Sequence, residues 1–206
     1  MSIRLMIATP CHRGQVHVRY AASLFNTAQL ARDIGCNVEY ATLSSTHLPF
    51  ARNSFVARAL DLGFSHVLFI DDDISWDPDG PLRLLAHERE VVGGCYSDRR
   101  GNHQLGWSNP RRVADAPEPL VEVDWLGTGF LLISRAAMER MAAAYPKGQF
   151  AFGEDLNQGT DAVWCARWRG IGGRVFCDPS IALVHHGEIG FPQPWMMEET
   201  LQESVR

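Results

Sequence analysis

Residues His66-Val67-Leu68-Phe69-Ile70 form an apolar run that passes directly into three carboxylates, Asp71-Asp72-Asp73. A short apolar run rich in β-branched and aromatic residues reads as a buried strand. Its carboxyl end must then reach water or a ligand, because three charges cannot follow it into the core. That combination points to an open α/β sheet, in which ligands bind outside the carboxyl ends of the strands. Adjacent carboxylates repel and raise one another's pKa values. A divalent cation relieves the conflict by becoming the largest local charge. One Asp is enough to end a strand, and Asp77 and Asp79 show that the following loop is acidic in any case. The triplet is therefore read as a metal-assisted site for a phosphorylated substrate, with an Asp-rich loop as the plainer alternative.

The flanking elements fit an α/β order. Ile3 to Ala8 reads as a first buried strand, ended by Thr9-Pro10. Val16, Tyr20, Leu24, Ala28 and Ala31 recur at helical spacing, with Gly35 as the stop. Asn37–Leu43 reads as a second strand, Pro49–Leu62 as a helix closed by Gly63, and His66–Ile70 as the third strand. Strand, helix, strand, helix, strand argues for right-handed crossovers and a mostly parallel sheet. Pro81 starts a further helix to about Glu88, Glu90–Tyr96 reads as a fourth strand, and residues 97–119 as a long polar loop.

The second half is less regular. Val121–Leu126 and Phe130–Ile133 read as strand pieces joined by Gly127-Thr128-Gly129. Ser134 caps a helix to about Tyr145, and Thr160 caps another that ends at Gly170. Arg174–Cys177 and Ile181–Val184 are short strands, followed by His185-His186-Gly187. The glycines of Gly127-Thr128-Gly129 suit a close backbone approach to a sugar or acceptor, or a bulge between the two pieces.

With 206 residues, one domain is expected. The net charge of −5, spread over both signs, gives no basic face for nucleic acid. Five cysteines without CxxC spacing, Cys11, Cys36, Cys95, Cys165 and Cys177, argue against zinc and for small buried residues in a reducing compartment. The N-terminal apolar segment is too short for a signal peptide or a membrane span, so a cytoplasmic protein without a membrane span is expected.

Several motifs, in order, resemble the GT-A fold glycosyltransferases, especially short bacterial and phage members. They are Thr9-Pro10-Cys11, Ala51-Arg52-Asn53, Asp71-Asp72-Asp73 as a DxD motif, and Gly93-Gly94-Cys95-Tyr96 with Arg99. Gly127-Thr128-Gly129-Phe130, Asp161 to Arg167, and Asp178-Pro179 with His185-His186-Gly187 complete the series. The resemblance implies a Rossmann-like, mostly parallel central sheet with helices on both faces and a smaller mixed acceptor-side half. It places the nucleotide-sugar half at 1–100, the acceptor half at 101–190, and a tail at 191–206.

It also implies a UDP-sugar donor, UDP-glucose or similar, and a divalent cofactor, Mn2+ or Mg2+. Asp73 would hold the metal, Asp71 the ribose or the metal through water, and His185 would complete the metal shell, with His186 as runner-up. Asp72 takes the variable middle position. Thr9, Pro10 and Arg13 would lie by the nucleobase and ribose, Arg52 and Asn53 near the same cleft, and Arg99 near the diphosphate. Gly127, Thr128 and Gly129 complete the nucleotide-sugar set. Trp107 and Trp125 are candidates for stacking on a sugar.

The family's Glu-Asp pair before the late helix is Thr160-Asp161 here, while Gly153-Glu154-Asp155 lies just upstream. Asp161 is taken as the catalytic base by spacing and Asp155 as the alternative by local sequence. An Asp base would give an inverting transfer to an acceptor hydroxyl. The acceptor class stays open among glycan or lipid precursors, protein side chains and modified phage DNA bases. Arg99-Arg100 and Arg111-Arg112 keep DNA among these, against the net charge. Two rivals remain: a nucleotidyltransferase or other nucleotide-diphosphate enzyme, and a non-catalytic sugar-nucleotide-binding module.

Overall fold

A computed structural model describes residues 3–97, 106–150, 159–187 and 190–192. The first half runs β1 (Arg4–Cys11), α1 (Val18–Asp33), β2 (Asn37–Ser44), α2 (Leu48–Asp61), β3 (His66–Ile70), β4 (Ile74–Trp76), α3 (Gly80–Ala86) and β5 (Val91–Gly93). The second runs β6 (Trp107–Ser108), β7 (Val121–Val123), β8 (Trp125–Leu126), β9 (Phe130–Ser134), α4 (Arg135–Ala144), α5 (Thr160–Gly170), β10 (Val175–Cys177), β11 (Leu183–His186) and β12 (Gly190–Pro192).

Seven strands form one sheet in the order β2-β1-β3-β9-β5-β10-β7. β1 lies parallel to β2 and β3, and β10 parallel to β5, whereas β9 runs antiparallel to both β3 and β5. The expected parallel frame therefore holds for β1, β2, β3, β5 and β10. β9 enters from the second half of the chain and separates β3 from β5, a pairing that local patterning does not encode. A second sheet, β12-β11-β4, hangs from the acidic loop.

The strands alternate their side chains between two cores. Met6, Ala8, Val67 and Phe69 pack with Phe55 of α2, Met138 of α4 and Trp164 and Trp168 of α5. Leu5, Ile7, Leu68 and Ile70 pack with Tyr20 of α1, Trp76 of β4 and Leu84 of α3. Both faces of β3 are thus covered, which is why its sequence is continuously apolar. Each fully buried large side chain contributes roughly 1.5–3 kcal/mol, and the run of them fixes the strand in the centre of the sheet.

Several boundaries differ from the sequence reading. β1 runs on through Thr9 and Pro10 to Cys11, paired with β2 alone beyond Ala8, so the proline sits where the third strand no longer needs its N–H. The expected single strand 121–126 is split into β7 and β8, which join different sheets. His185 and His186 lie within β11 and do not follow it. Gly159, not Thr160, is the N-cap of α5. The stops at Gly35 and Gly63 are as expected, each with positive φ (71° and 75°).

Candidate active site

The acidic loop emerges at the carboxyl end of β3 and is held from two sides. The backbone N–H of His17 donates to the Asp72 carbonyl (2.8 Å), and that of His186 to the Asp73 carbonyl (2.7 Å). Two clefts meet along this loop and share His12, Asp72 and Asp73. The smaller, about 250 Å³, is bounded by Pro10, Ser45, Thr46 and Asp71. The larger, about 580 Å³, is bounded by Arg13, His17, His186 and Gly187.

Asp73 Oδ1 lies 3.3 Å from His185 Nε2. The Nδ1 of His185 is 2.9 Å from the Ser97 carbonyl, which only accepts, so Nδ1 carries a proton and Nε2 is the ring atom turned to Asp73. A lone pair facing a carboxylate is repulsive unless a cation or a second proton lies between them. Two neighbouring ligands of an octahedral ion, each at about 2.1 Å, stand about 3 Å apart, so the spacing suits Mg2+ or Mn2+. Carboxylate plus imidazole is a donor set such ions accept. Asp71, the third expected ligand, is drawn instead to Arg52 (3.5 Å). Among the described residues no set of three metal-binding side chains is assembled.

Arg52 is the hub of the opposite wall. It is 1% exposed, and its Nη1 lies 2.5 Å from Asp161 Oδ1 and 2.9 Å from Thr160 Oγ1. Thr128 donates to Asp161 through both its hydroxyl (2.8 Å) and its backbone N–H (3.2 Å). Burial pushes the Asp161 carboxyl up, but the Arg52 charge and the Thr128 hydrogen bonds outweigh it and hold it below the usual Asp range. Burial likewise acts against the Arg52 charge, and Asp161 and Asp71 more than restore it. The Asp161 side chain keeps 27% exposure, and its Oδ2 accepts only the Thr128 amide among the described residues.

Between the two walls stands Tyr96, which sequence reasoning placed in a motif without giving it a role. Its hydroxyl accepts the Gly129 N–H at 2.9 Å, and its ring meets His185 edge-on with centroids 5.4 Å apart. A Cβ on Gly127 or on Gly129 would stand 2.5 Å from that hydroxyl. The glycines make room for Tyr96, and at Gly129 also for Asp71. Burial, then Asp71 and Asp161, keep the phenol strongly protonated.

The remaining expected residues fall in different places. Thr9 is fully buried with its hydroxyl bonded to that of Tyr20, so its side chain is turned from the clefts into the α1 core. Pro10 lines the smaller cleft and Arg13 the larger, so the two do not share one pocket. Asn53 does not face the cleft: its amide accepts from the backbone of Gln149 (2.7 Å) and Phe150 (3.0 Å) and donates to the Phe150 carbonyl (2.9 Å). His186 turns to Ser75 (Nε2 to Oγ, 2.7 Å) and stacks on His17. Burial first, then the charges of His17, Arg19 and His185, lower its pKa. Trp107 and Trp125 pack half-buried against the core. Arg99, Arg100 and Asp155 lie outside the described residues.

Three solved structures share this architecture. A197 from STIV is 15% identical, with 93% of this chain and 94% of that one covered and a TM-score of 0.60. TarS from S. aureus is 13% identical over 86% of this chain and 35% of its own, with a TM-score of 0.55. UDP-glucose pyrophosphorylase complexed with UDP-glucose is 8% identical over 87% and 90%, with a TM-score of 0.51. The fold is GT-A-like. Open α/β sheets bind ligands outside the carboxyl ends of their strands, and both clefts here lie along the acidic loop that follows β3. No protein-family model and no curated protein matches the chain.

Proposed function

We propose that the chain is a metal-dependent glycosyltransferase that moves a hexose from a UDP-sugar to an acceptor hydroxyl, by an inverting displacement. The observation that carries this reading is the Asp73–His185 pair, 3.3 Å apart, at the carboxyl end of the central strand and beside both clefts. Asp73 and His185 would hold Mn2+ or Mg2+, with Asp71 beside the ribose or reaching the metal through water. Bound there, the ion supplies Lewis-acid stabilisation of the charge that develops on the leaving diphosphate.

The protein's own groups divide the remaining work. Pro10 and Asp71, with Ser45 and Thr46, bound the smaller cleft, which takes the nucleoside. Asp161 Oδ2 is the base that receives the acceptor proton, oriented by Arg52 and Thr128. Its lowered pKa keeps it ionised at neutral pH and limits its basicity, so it acts through position more than proton affinity. Arg99 and Asp155 are carried as diphosphate contact and alternative base. Gly127, Thr128 and Gly129 shape the wall between Tyr96 and Asp161.

The test is release of UDP from UDP-glucose with Mn2+ and after EDTA, in the wild type and in Asp73→Asn. Metal-dependent release that Asp73→Asn abolishes supports the reading, and no metal-dependent release from any UDP-sugar sinks it. A nucleotidyltransferase is the second reading, favoured by the fold shared with UDP-glucose pyrophosphorylase over most of both chains. Its product from a UDP-sugar and pyrophosphate would be UTP and a sugar 1-phosphate.

A further inference from the structure

His185 takes its backbone from one sheet and its ring orientation from another. It stands on β11, paired opposite Ile74 of β4. Its imidazole meets Tyr96 and Ser97, which lie just beyond the end of β5 in the main sheet and are both buried. An imidazole that ligates through Nε2 needs its proton on Nδ1 and its ring in the right plane. The Ser97 carbonyl, 2.9 Å from Nδ1, selects the tautomer. A hydrogen bond at Nδ1 still lets a ring pivot about it. The Tyr96 ring meets the imidazole edge-on, with centroids 5.4 Å apart and planes at 85°, and blocks that pivot.

Tyr96 is itself pinned at both ends. Its backbone carbonyl accepts the Gly106 N–H (2.9 Å), and its hydroxyl accepts the Gly129 N–H (2.9 Å). The Gly129 carbonyl in turn accepts the Asp71 N–H (3.1 Å), so the far pin is the residue that also holds the start of the acidic loop. A phenylalanine would keep the edge contact and lose the far pin. Partners that orient a ligating imidazole from behind commonly decide 10–100-fold in metal affinity.

We propose that Tyr96 is a positioning residue for the metal ion: its ring, pinned by Gly129, fixes the plane in which His185 presents Nε2 beside Asp73. Tyr96 acts on the ion through His185. The effect on the ion rests on the reading of Asp73 and His185 as metal ligands, but the orientation of the His185 ring does not.

Nitrogen-15 NMR of the histidines in the full-length, metal-free protein at about pH 8.5, above the ordinary imidazole range, reads the His185 tautomer. The signal is assigned by its loss in His185→Gln. Wild type should show the proton on Nδ1. Tyr96→Leu should add the Nε2-protonated form that a solvated imidazole prefers, and Tyr96→Phe should keep the wild-type pattern. Titration of the same proteins with Mn2+, followed by the electron paramagnetic resonance of the free ion, should show binding weakened roughly 10–100-fold in Tyr96→Leu and by less in Tyr96→Phe. Tyr96→Met gives the same two readouts should the Leu variant not fold. An unchanged tautomer in the folded Leu or Met variant, or Mn2+ affinity equal to wild type there, overturns the proposal. Absence of Mn2+ binding in wild type, with the tautomer shift present, sinks the metal reading of Asp73 and His185 and leaves Tyr96 as the residue that orients the His185 ring.

Discussion

Arg52 Nη1 and Asp161 Oδ1 lie 2.5 Å apart, joining α2 to α5 across 109 residues of chain. Arg52 is 1% exposed, so this pair is a buried one, and removal of either partner strands a charge. The same guanidinium reaches Asp71, so one side chain ties the acidic loop to the second half of the fold.

Replacement of Arg52 by Met keeps the apolar stem and removes the charge. Urea denaturation at pH 7 should show a loss of about 3–5 kcal/mol, the range for a broken buried pair. Arg52→Lys should recover only part of it, because an ammonium lacks the fork that serves two carboxylates and Thr160. A loss under about 1 kcal/mol would mark the pair as solvated.

Acid stability follows the same pair. Asp161 and Asp178 are both held below the Asp reference value of 3.8, in each case with burial overcome by hydrogen bonds and positive neighbours. Carboxyls with a depressed native pKa contribute stability that is complete above 3.8 and lost as pH falls through the native value. In Arg52→Met the positive charge that offsets burial is gone and only the Thr128 and Thr160 hydrogen bonds remain against it, so the Asp161 carboxyl rises toward its ordinary range. The stability gap between wild type and Arg52→Met should therefore narrow below pH 3.8, and a gap constant from about pH 6 to 3 would contradict the lowered pKa.

Gly127 and Gly129 give a sharper test of the Tyr96 wedge. At Gly127 the three nearest atoms to an added Cβ all belong to Tyr96, at 2.5, 3.0 and 3.4 Å. At Gly129 they are the Tyr96 hydroxyl, Asp71 Oδ2 and Ile74 Cδ1, at 2.5, 2.8 and 2.8 Å. Each Ala variant should lose roughly 1–3 kcal/mol by overpacking. Tyr96→Phe should restore most of the loss at Gly127 and less at Gly129, read as coupling energies in double-mutant cycles. Additive losses at both positions would show that the hydroxyl is not the obstacle.

Asp161→Asn keeps the side-chain shape and removes the negative charge. UDP affinity should stay near the wild-type value while transfer falls by roughly 10²–10⁴, the usual contribution of a general base. Asp155→Asn should transfer normally. The reverse pattern would assign the base to Asp155.

Much of the frame was readable because it rests on local order. The apolar run at 66–70 and the helical spacing from Val16 to Ala31 depend on neighbours within one or two turns. The glycine stops at 35 and 63 follow from backbone sterics alone. β4, by contrast, is three residues long and exists because it pairs with β11, more than a hundred residues later. The sequence reading puts Arg52 near the nucleotide cleft, yet it is buried, paired with two carboxylates from separate elements. Tyr96 carried no signal beyond its place in a motif, since its meaning lies in what Gly127 and Gly129 leave open.

The sequence by itself determined that three carboxylates would stand at the end of a strand buried on both faces, within an α/β frame. Periodicity and charge repulsion are properties of adjacent residues, so no tertiary information was needed. Tertiary structure alone decided that Asp73 faces His185 while Asp71 turns to Arg52, and that Pro10 and Arg13 line different clefts. Side chains far apart in sequence meet only when the sheet order is set, and β9, arriving from the second half to lie between β3 and β5, sets it.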